Sequence, residues 1–169
     1  PFGIDVLGVT KGFTAIPRIV RAMIGGGIIS FADSRLQNIK SLRKIGITQD
    51  ITLLRSPGLS SVKRAVEFAD YSVNSEYAVI KALSNAALAA NKKHKIILMI
   101  DVGDLREGVL PEDALEMADN IAKLKGITLS GVGTNMGCFG GILPTLRNLN
   151  LLIEIAFKIE SRVGIKLEF

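Results

Sequence analysis

The sequence predicts an α/β protein that folds as a (β/α)8 barrel of the TIM type, of which this chain holds an incomplete set of strands. Short runs rich in β-branched residues alternate with longer runs of helical periodicity, a pattern typical of repeated βα units around a parallel sheet. Of the 169 residues, 48% are hydrophobic and only 5% are aromatic. That composition favours a core of aliphatic side chains packed between a sheet and its helices.

Seven strands are expected, and each except the last is followed by a helix. The strands lie at residues 4–10, 28–32, 51–55, 71–74, 96–101, 127–134 and 165–169. The helices lie at residues 15–24, 34–45, 60–68, 75–91, 111–125 and 144–163. We therefore expect residues 1–169 to form one partial barrel domain, without the beginning of its first strand and without the region of strand eight. A doubly wound open sheet is the alternative, although it would normally carry a nucleotide-binding loop after its first strand.

The predicted helices carry start and stop signals. A serine hydroxyl can accept a hydrogen bond from the first turn of a helix, and a proline suits the first helical position. These signals stand at Ser34, Ser60 and Ser75 for the serines and at Pro111 and Pro144 for the prolines. Glycines are expected to end helices in the left-handed conformation. They include Gly46, Gly126 and Gly164.

Charge and cysteine content exclude several function classes. The net charge of +5 comes from basic residues spread along the chain without interleaved aromatics, so no nucleic-acid partner is expected, whereas an anion-binding site is a possible reason for the excess. The single cysteine, Cys138, excludes an intrachain disulfide, and no His or Cys pair has metal-ligand spacing. The chain has no apolar run of about 18 residues and no secretory leader. We therefore expect a cytoplasmic protein without a membrane partner.

The predicted barrel divides the polar residues into two groups. Catalytic groups lie at the carboxyl ends of barrel strands, whereas residues at the opposite ends serve stability. Lys11 follows the first predicted strand. A lysine above apolar walls can act as an amine nucleophile toward an aldehyde, although an ordinary surface lysine would fit the same spacing. The single histidine, His94, precedes a strand and is expected on the stability side.

Two loops that follow later strands are candidates for ligand binding. Residues 101–108 are dense in charge and glycine, and Arg106 among them suits an anionic oxygen unless it pairs with an acidic residue of its own loop. Residues 131–141 are rich in glycine, which lets the backbone approach a ligand. Cys138 in this stretch is a candidate for proton transfer, or an inert thiol.

Four segments, taken together, match a known family in their order and in the strands they follow. They are Val9-Thr10-Lys11-Gly12, Phe31-Ala32-Asp33-Ser34-Arg35, residues 100–108 and Gly133-Thr134-Asn135. With these segments the chain resembles, over essentially its whole length, the alanine racemase-like family of pyridoxal-phosphate-binding barrels, and in particular its ornithine racemase branch of predicted amino-acid racemases. The lysine segment alone has little specificity, but its combination with the loop 101–108 is specific.

The resemblance implies a fold type III barrel in which pyridoxal 5'-phosphate forms an internal aldimine with Lys11. It implies that Arg106 lies near the phenolic oxygen of the cofactor and that Asn135 stands where alanine racemases carry a histidine facing the ring. Met99 takes the place of a lysine that those enzymes have beside the arginine, so the role of that lysine is absent. The phosphate-binding loop of strand seven and the arginine of strand eight would lie beyond Phe169. The chain alone is therefore expected to be inactive.

The function that the resemblance implies is a pyridoxal-phosphate-dependent amino-acid racemase. It would act on a free amino acid, ornithine or alanine, through an aldimine and an α-carbanion, and the full-length protein would be a homodimer. Lys11 would be the base on one face of the substrate, and Cys138 is the candidate for the second acid–base group. The alternative is a non-catalytic pyridoxal-phosphate-binding protein of the same fold. A lyase of the D-threonine aldolase type is disfavoured because no metal-ligand pairing is visible.

Overall fold

A computed structural model describes residues 3–137 and 141–169 of the chain, and within them six parallel strands form one sheet. The strands are β1 Gly8–Val9, β2 Ser30–Asp33, β3 Asp50–Leu53, β4 Tyr71–Asn74, β5 His94–Met99 and β6 Ile127–Gly133. Each strand lies beside its predecessor in the sequence, and every pair is parallel. A doubly wound sheet would reverse its strand order at a switch point. The sequential order therefore confirms the partial barrel and rules out the open sheet.

Six helices alternate with these strands. They are α1 Pro17–Gly25, α2 Leu36–Lys44, α3 Val62–Phe68, α4 Tyr77–Ala89, α5 Ala114–Ala122 and α6 Leu146–Val163. One continuous core lies between sheet and helices, and its fully buried side chains come from both layers, for example Phe31 and Ile96 from strands and Ile80 from α4. None of the described helices is both long enough and apolar enough to cross a membrane.

The predicted serine caps are wrong. The helices α2, α3 and α4 follow residues that make no side-chain cap hydrogen bond, namely Arg35, Ser61 and Glu76. A reciprocal cap instead begins α6, where the N–H of Asn148 donates to the Thr145 hydroxyl at 3.3 Å and the N–H of Thr145 donates to the Asn148 side chain at 2.7 Å. The cap thereby pairs the backbone N–H groups of Thr145 and Asn148, which have no carbonyl partner within the helix.

The two outer predicted strands are shorter or less regular than expected. The first, at residues 4–10, pairs with β2 only at Gly8 and Val9. The seventh, at residues 165–169, is not a strand, although it runs beside β6 and the N–H of Glu168 donates to the Ser130 carbonyl at 2.6 Å. A shift in the β5–β6 register falls at Ile96 and Ile97, opposite the same stretch of β6. The bulge leaves Ser130 out of the regular β5–β6 pairing.

A polar cluster ties the seventh segment to the interior of the sheet. The ammonium group of Lys95 on β5 donates to the Tyr71 hydroxyl at 2.7 Å, and that hydroxyl donates to the Glu168 carboxylate at 2.9 Å. The rings of Tyr71 and Phe169 meet edge to face with their centroids 5.6 Å apart. These contacts join β4, β5 and the end of the chain at the side of the sheet remote from Lys11.

Gly126 illustrates a glycine whose role differs from the predicted one. Gly46 and Gly164 have positive φ angles of 85° and 72°, as the helix-end prediction requires. Gly126 is not in that conformation; a Cβ there would overlap the backbone carbonyl of Ser84, and its N–H donates to the Ser84 hydroxyl at 3.1 Å. The absent side chain therefore lets the start of β6 lie directly against α4.

We predict that Gly126→Ala destabilises the protein by about 1–3 kcal/mol, because the added methyl group forces a backbone shift in a packed layer. The matched control is Gly25→Ala, at the last residue of α1, where an added Cβ meets nothing within 4 Å. That change should be neutral or stabilising, since alanine favours the helix. Denaturant unfolding of both variants tests this, and equal stabilities would contradict the close-approach role.

Candidate functional site

Lys11 lies at the carboxyl end of β1, at the edge of the sheet that barrel enzymes use for chemistry. It begins a short 3₁₀ turn, Lys11–Phe13, after which Thr14 and Ala15 both have left-handed φ angles, of 50° and 54°. Such angles are disfavoured for residues that carry a Cβ, and they persist where the surroundings impose them, often at functional sites. The Lys11 side chain is exposed, and no hydrogen bond or ion pair to another described residue engages its ammonium group.

A buried carboxylate fixes the backbone from which Lys11 projects. Asp33, the last residue of β2, is fully buried and accepts a hydrogen bond of 2.7 Å from the hydroxyl of Thr10, the neighbour of Lys11. It also accepts from the N–H of Arg35 at 2.7 Å and from the amide of Asn38 at 3.0 Å. A carboxylate can remain in the interior when several donors replace its hydration. Asp33 thus joins the ends of β1 and β2 to the start of α2.

The loop after β5 has a backbone held by its own aspartate. The Asp101 carboxylate accepts from the N–H of Gly103 at 2.8 Å and from the N–H of Leu105 at 3.1 Å. The base of the loop is closed by a bridge between Ile100 and Val109. At Gly108, whose φ is 131°, a Cβ would lie 2.5 Å from the Asp101 nitrogen. The sequence predicts a binding loop here, and the structure shows a loop whose backbone is held by its own hydrogen bonds.

Arg106 lies between two acidic residues of this loop. Its Nε atom is 3.9 Å from the Asp104 carboxylate, and its Nη2 atom is 3.4 Å from the Glu107 carboxylate. The intraloop pairing that the sequence left open is therefore present. Both separations exceed those of a charge-assisted hydrogen bond, about 2.7–2.9 Å, and the side chain keeps 36% of its surface exposed. The guanidinium group is thus held near the carboxyl ends of the strands, which we call the mouth of the barrel, while part of it faces solvent.

Glu107 connects the two candidate cofactor residues, Arg106 and Asn135, and the sequence did not single it out. The Asn135 amide, which follows β6, donates to the Glu107 carboxylate at 2.9 Å. The same carboxylate oxygen faces Arg106. Nearby, the Thr134 hydroxyl is buried and makes no hydrogen bond with the described residues. The ends of β5 and β6 thus present an arginine, an amide and an unused hydroxyl close together.

The structure brings some of the predicted site residues together and leaves others apart. Arg106 and Asn135 share the Glu107 carboxylate, whereas no hydrogen bond or ion pair among the described residues links Lys11 to either of them. All three nevertheless follow the carboxyl ends of parallel strands and so share one edge of the sheet. Cys138 lies outside the described residues.

His94 lies at the other end of the sheet, as the first residue of β5. Burial lowers its pKa to about 4, and the Asp70 carboxylate only partly opposes that effect. The Nε2 atom of the ring is 2.9 Å from the Ser72 hydroxyl, which also accepts from the Asn74 amide at 2.9 Å. The ring is neutral at pH 7 and packs in the interior. It lies at the amino ends of the strands, whereas Lys11, Arg106 and Asn135 follow the carboxyl ends.

Comparisons with known proteins agree with this arrangement. Residues 6–167 match the family model of the alanine racemase N-terminal domain. The lysine racemase of Thermotoga maritima is 39% identical over 98% of this chain and 46% of its own length. The ornithine racemase of Acetoanaerobium sticklandii is 39% identical over 94% of this chain and 45% of its own length. The chain thus spans about half the length of the curated relatives it matches.

Solved structures show the same fold at lower sequence identity. An alanine racemase of Clostridium difficile in complex with cycloserine superposes with a TM-score of 0.84 at 18% identity, over 99% of this chain and 48% of that one. PipY of Synechococcus elongatus with PLP bound superposes with a TM-score of 0.79 at 17% identity, over 100% of this chain and 80% of its own. These likenesses support the barrel and its strand order.

The depressed pKa of His94 predicts that stability falls on acidification. Between pH 6.5 and about 4 the unfolded chain binds a proton on His94 that the folded protein does not, so the free energy of unfolding decreases as the pH falls through this range. The full effect is about 3 kcal/mol. His94→Gln should flatten the dependence in urea unfolding series at pH 7 and pH 4.5. An unchanged slope would contradict the assignment.

The three hydrogen bonds to Asp33 predict that Asp33→Ala lowers the free energy of unfolding by about 2–4 kcal/mol, since it leaves buried donors unpaired. Glu112→Ala is the control, because Glu112 is exposed and most exposed substitutions change stability by no more than about 0.5 kcal/mol. Denaturant unfolding measures both. A neutral Asp33→Ala would show that the carboxylate does not anchor the Lys11 turn.

Proposed function

This chain belongs to the alanine racemase N-terminal domain family, and from that membership and the geometry of the mouth we propose that it forms the cofactor-binding barrel of a pyridoxal-phosphate-dependent amino-acid racemase. The observation that carries the proposal is the placement of Lys11. Its amine is exposed at the end of β1, on a backbone anchored by the buried Asp33 through Thr10. Two relatives that are 39% identical bear the names lysine racemase and ornithine racemase.

The residues present fit the cofactor. A lysine that is to bond an aldehyde must be accessible and must not be committed to an ion pair, and Lys11 meets both conditions within the described part of the chain. Arg106 would present positive charge to an anionic oxygen of the ring, and Asn135 an amide to the ring itself. The buried Thr134 hydroxyl, unpaired among the described residues, is a further donor that a ligand could use.

The chemistry divides between the cofactor and the chain. When bound, pyridoxal phosphate draws electron density from the α-carbon of an attached amino acid and makes its α-proton removable. The Nζ atom of Lys11, when neutral, accepts that proton on one face of the substrate. A second group must donate on the opposite face, and we assign this role to Cys138. Glu107 keeps Arg106 and Asn135 in a fixed relation, so that both orient the ligand rather than move protons.

The substrate class follows from the relatives. We propose a free amino acid with a basic side chain, ornithine or lysine, ahead of alanine, because the two relatives that are 39% identical carry those names. The full-length protein would be a homodimer in the cytoplasm. A non-catalytic pyridoxal-phosphate-binding protein is the second candidate, supported by the superposition on PipY over 80% of that chain.

Borohydride reduction of the full-length protein loaded with pyridoxal phosphate tests the proposal. The pyridoxyl label should fall on Lys11, and single enantiomers of ornithine, lysine and alanine should lose optical activity, the basic ones fastest. Lys11→Ala should abolish the label and lower turnover by at least about a hundredfold. Lys125→Ala, which alters an exposed lysine beyond α5, should change neither.

Each other outcome has a distinct meaning. A label on a different lysine would overturn the assignment of Lys11. A label on Lys11 without loss of optical activity for any of the three amino acids would favour the cofactor-binding protein over the racemase. Full racemisation by the Cys138→Ala variant would remove Cys138 from the mechanism without affecting Lys11.

A further inference from the structure

A second basic site lies beside the mouth, between the loops that follow β2 and β3. It is a cleft of about 200 Å³ whose lining includes three arginines and three serines: Arg35, Arg55, Arg64, Ser34, Ser56 and Ser61. No aspartate or glutamate is among its lining residues. Surface arginines are usually interspersed with acidic residues, so a cleft of this composition is unusual. We call it the arginine cleft.

The arginines of this cleft are not neutralised by the chain. Among residues 3–137 and 141–169, no carboxylate forms an ion pair with Arg35 or Arg55. Arg64 donates to the Ser61 hydroxyl at 2.9 Å, a neutral partner that leaves its charge uncompensated. Cations gathered in one cleft repel one another, and an anion bound among them relieves that repulsion.

The backbone adds further donors. Leu36 and Gln37 of the first turn of α2 also line the cleft, and the first N–H groups of a helix have no carbonyl partner inside it. The N–H of Arg35 is not one of these donors, because it already donates to the carboxylate of Asp33, which does not line the cleft. Guanidinium groups, hydroxyls and amide N–H groups are all donors, and together they suit an acceptor-only ligand.

We propose that the arginine cleft binds a phosphate group, either as free phosphate or as the phosphate of a small ester. Arginine forks match the geometry of a phosphate, which accepts several hydrogen bonds at once and carries close to two negative charges near neutral pH. The volume is below the roughly 300–1,000 Å³ of pockets that enclose whole organic ligands, which favours a compact anion. None of the residues assigned to the cofactor, Lys11, Arg106 and Asn135, lines this cleft.

The test is calorimetric titration of inorganic phosphate into the full-length protein saturated with pyridoxal phosphate, at constant ionic strength set with sodium chloride. Saturation fills the phosphate site of the cofactor, and constant ionic strength removes general screening effects. Arg35→Ala/Arg55→Ala should weaken phosphate binding by about tenfold or more for each arginine. Arg21→Ala/Arg147→Ala removes two exposed arginines from α1 and α6 and should leave the affinity unchanged.

Two further arms make the result specific. Arg35→Lys/Arg55→Lys keeps the charge without the fork and should give an intermediate affinity. A titration with glycerol phosphate separates the two sources, since tighter binding than that of inorganic phosphate indicates an ester and equal binding indicates free phosphate. Denaturant unfolding should show that Arg35→Ala/Arg55→Ala and Arg35→Lys/Arg55→Lys are as stable as the unaltered protein, because both side chains are exposed.

The outcome does not depend on the proposed racemase. Lys11→Ala should bind phosphate in the cleft as tightly as the unaltered protein, even though it cannot hold the cofactor covalently. Saturable binding that survives Arg35→Ala/Arg55→Ala, or the absence of saturable phosphate binding in the unaltered protein, would overturn the arginine cleft as a phosphate site. Either result would leave the assignment of Lys11 untouched.

Discussion

All six strands run in the same direction, and this constraint determines where every functional side chain of the described chain can lie. A parallel neighbour cannot be reached by a tight turn, so the chain must cross back over the sheet, here by a helix in each of the five steps. Each return brings the next strand to the same starting edge, and the carboxyl ends therefore gather at the opposite edge. Lys11, Arg106 and Asn135 are distant in sequence but share that edge for this reason. The fold positions the site before any side chain contributes.

Within that frame the mouth is held by two carboxylates of different character. Asp33 is fully buried, and its three donors are the residue after β1, the residue before α2 and Asn38 within α2, so it links these elements. Glu107 stands on a loop and joins Arg106 to Asn135 at greater exposure and with longer contacts to the arginine. An ion pair near solvent contributes at most about 1 kcal/mol, whereas the loss of a buried acceptor costs more. The Lys11 side of the mouth therefore has the stronger anchor of the two.

The sequence was sufficient for those features that depend on periodicity. β4 coincides with its predicted bounds, although Val73 is its only aliphatic residue. β3, β5 and β6 lie within two residues of theirs, and there buried aliphatic residues are a strong local signal. Prediction from the sequence failed where tertiary contacts determine the local structure. The serines before α2 and α4 do not cap, and at α2 it is Asp33 that accepts the N–H of Arg35. Gly126 was read as a helix end although it serves a close approach to Ser84, which lies 42 residues earlier in the chain.

The site residues divide along the same line. The position of Lys11 at the carboxyl end of β1 could be predicted because it follows from the strand before it. The role of Glu107 could not, because an acidic residue beside an arginine in a charged loop gives no sign that it also accepts from Asn135 on the next loop. The arginine cleft was likewise invisible as a site, since Arg35 and Arg55 belong to different βα loops and only the packing of those loops brings them to one cleft. What the sequence did show was the net charge of +5, with an anion-binding site as one of its possible causes.

The net positive charge of the chain is not spread evenly over the mouth. Asp33 is enclosed by neutral donors, Asp104 and Glu107 flank Arg106, and none of these three carboxylates lines the arginine cleft. Lys11 and the three cations of the arginine cleft have no such partner among the described residues. Positive charge gathered in one cleft attracts anions from a distance of about one Debye length, roughly 8 Å at physiological salt. Pyridoxal phosphate is anionic through its phosphate, and an amino acid carries a carboxylate. The arginine cleft therefore favours the approach of such anions to this edge of the sheet before Arg106 or Asn135 makes specific contact.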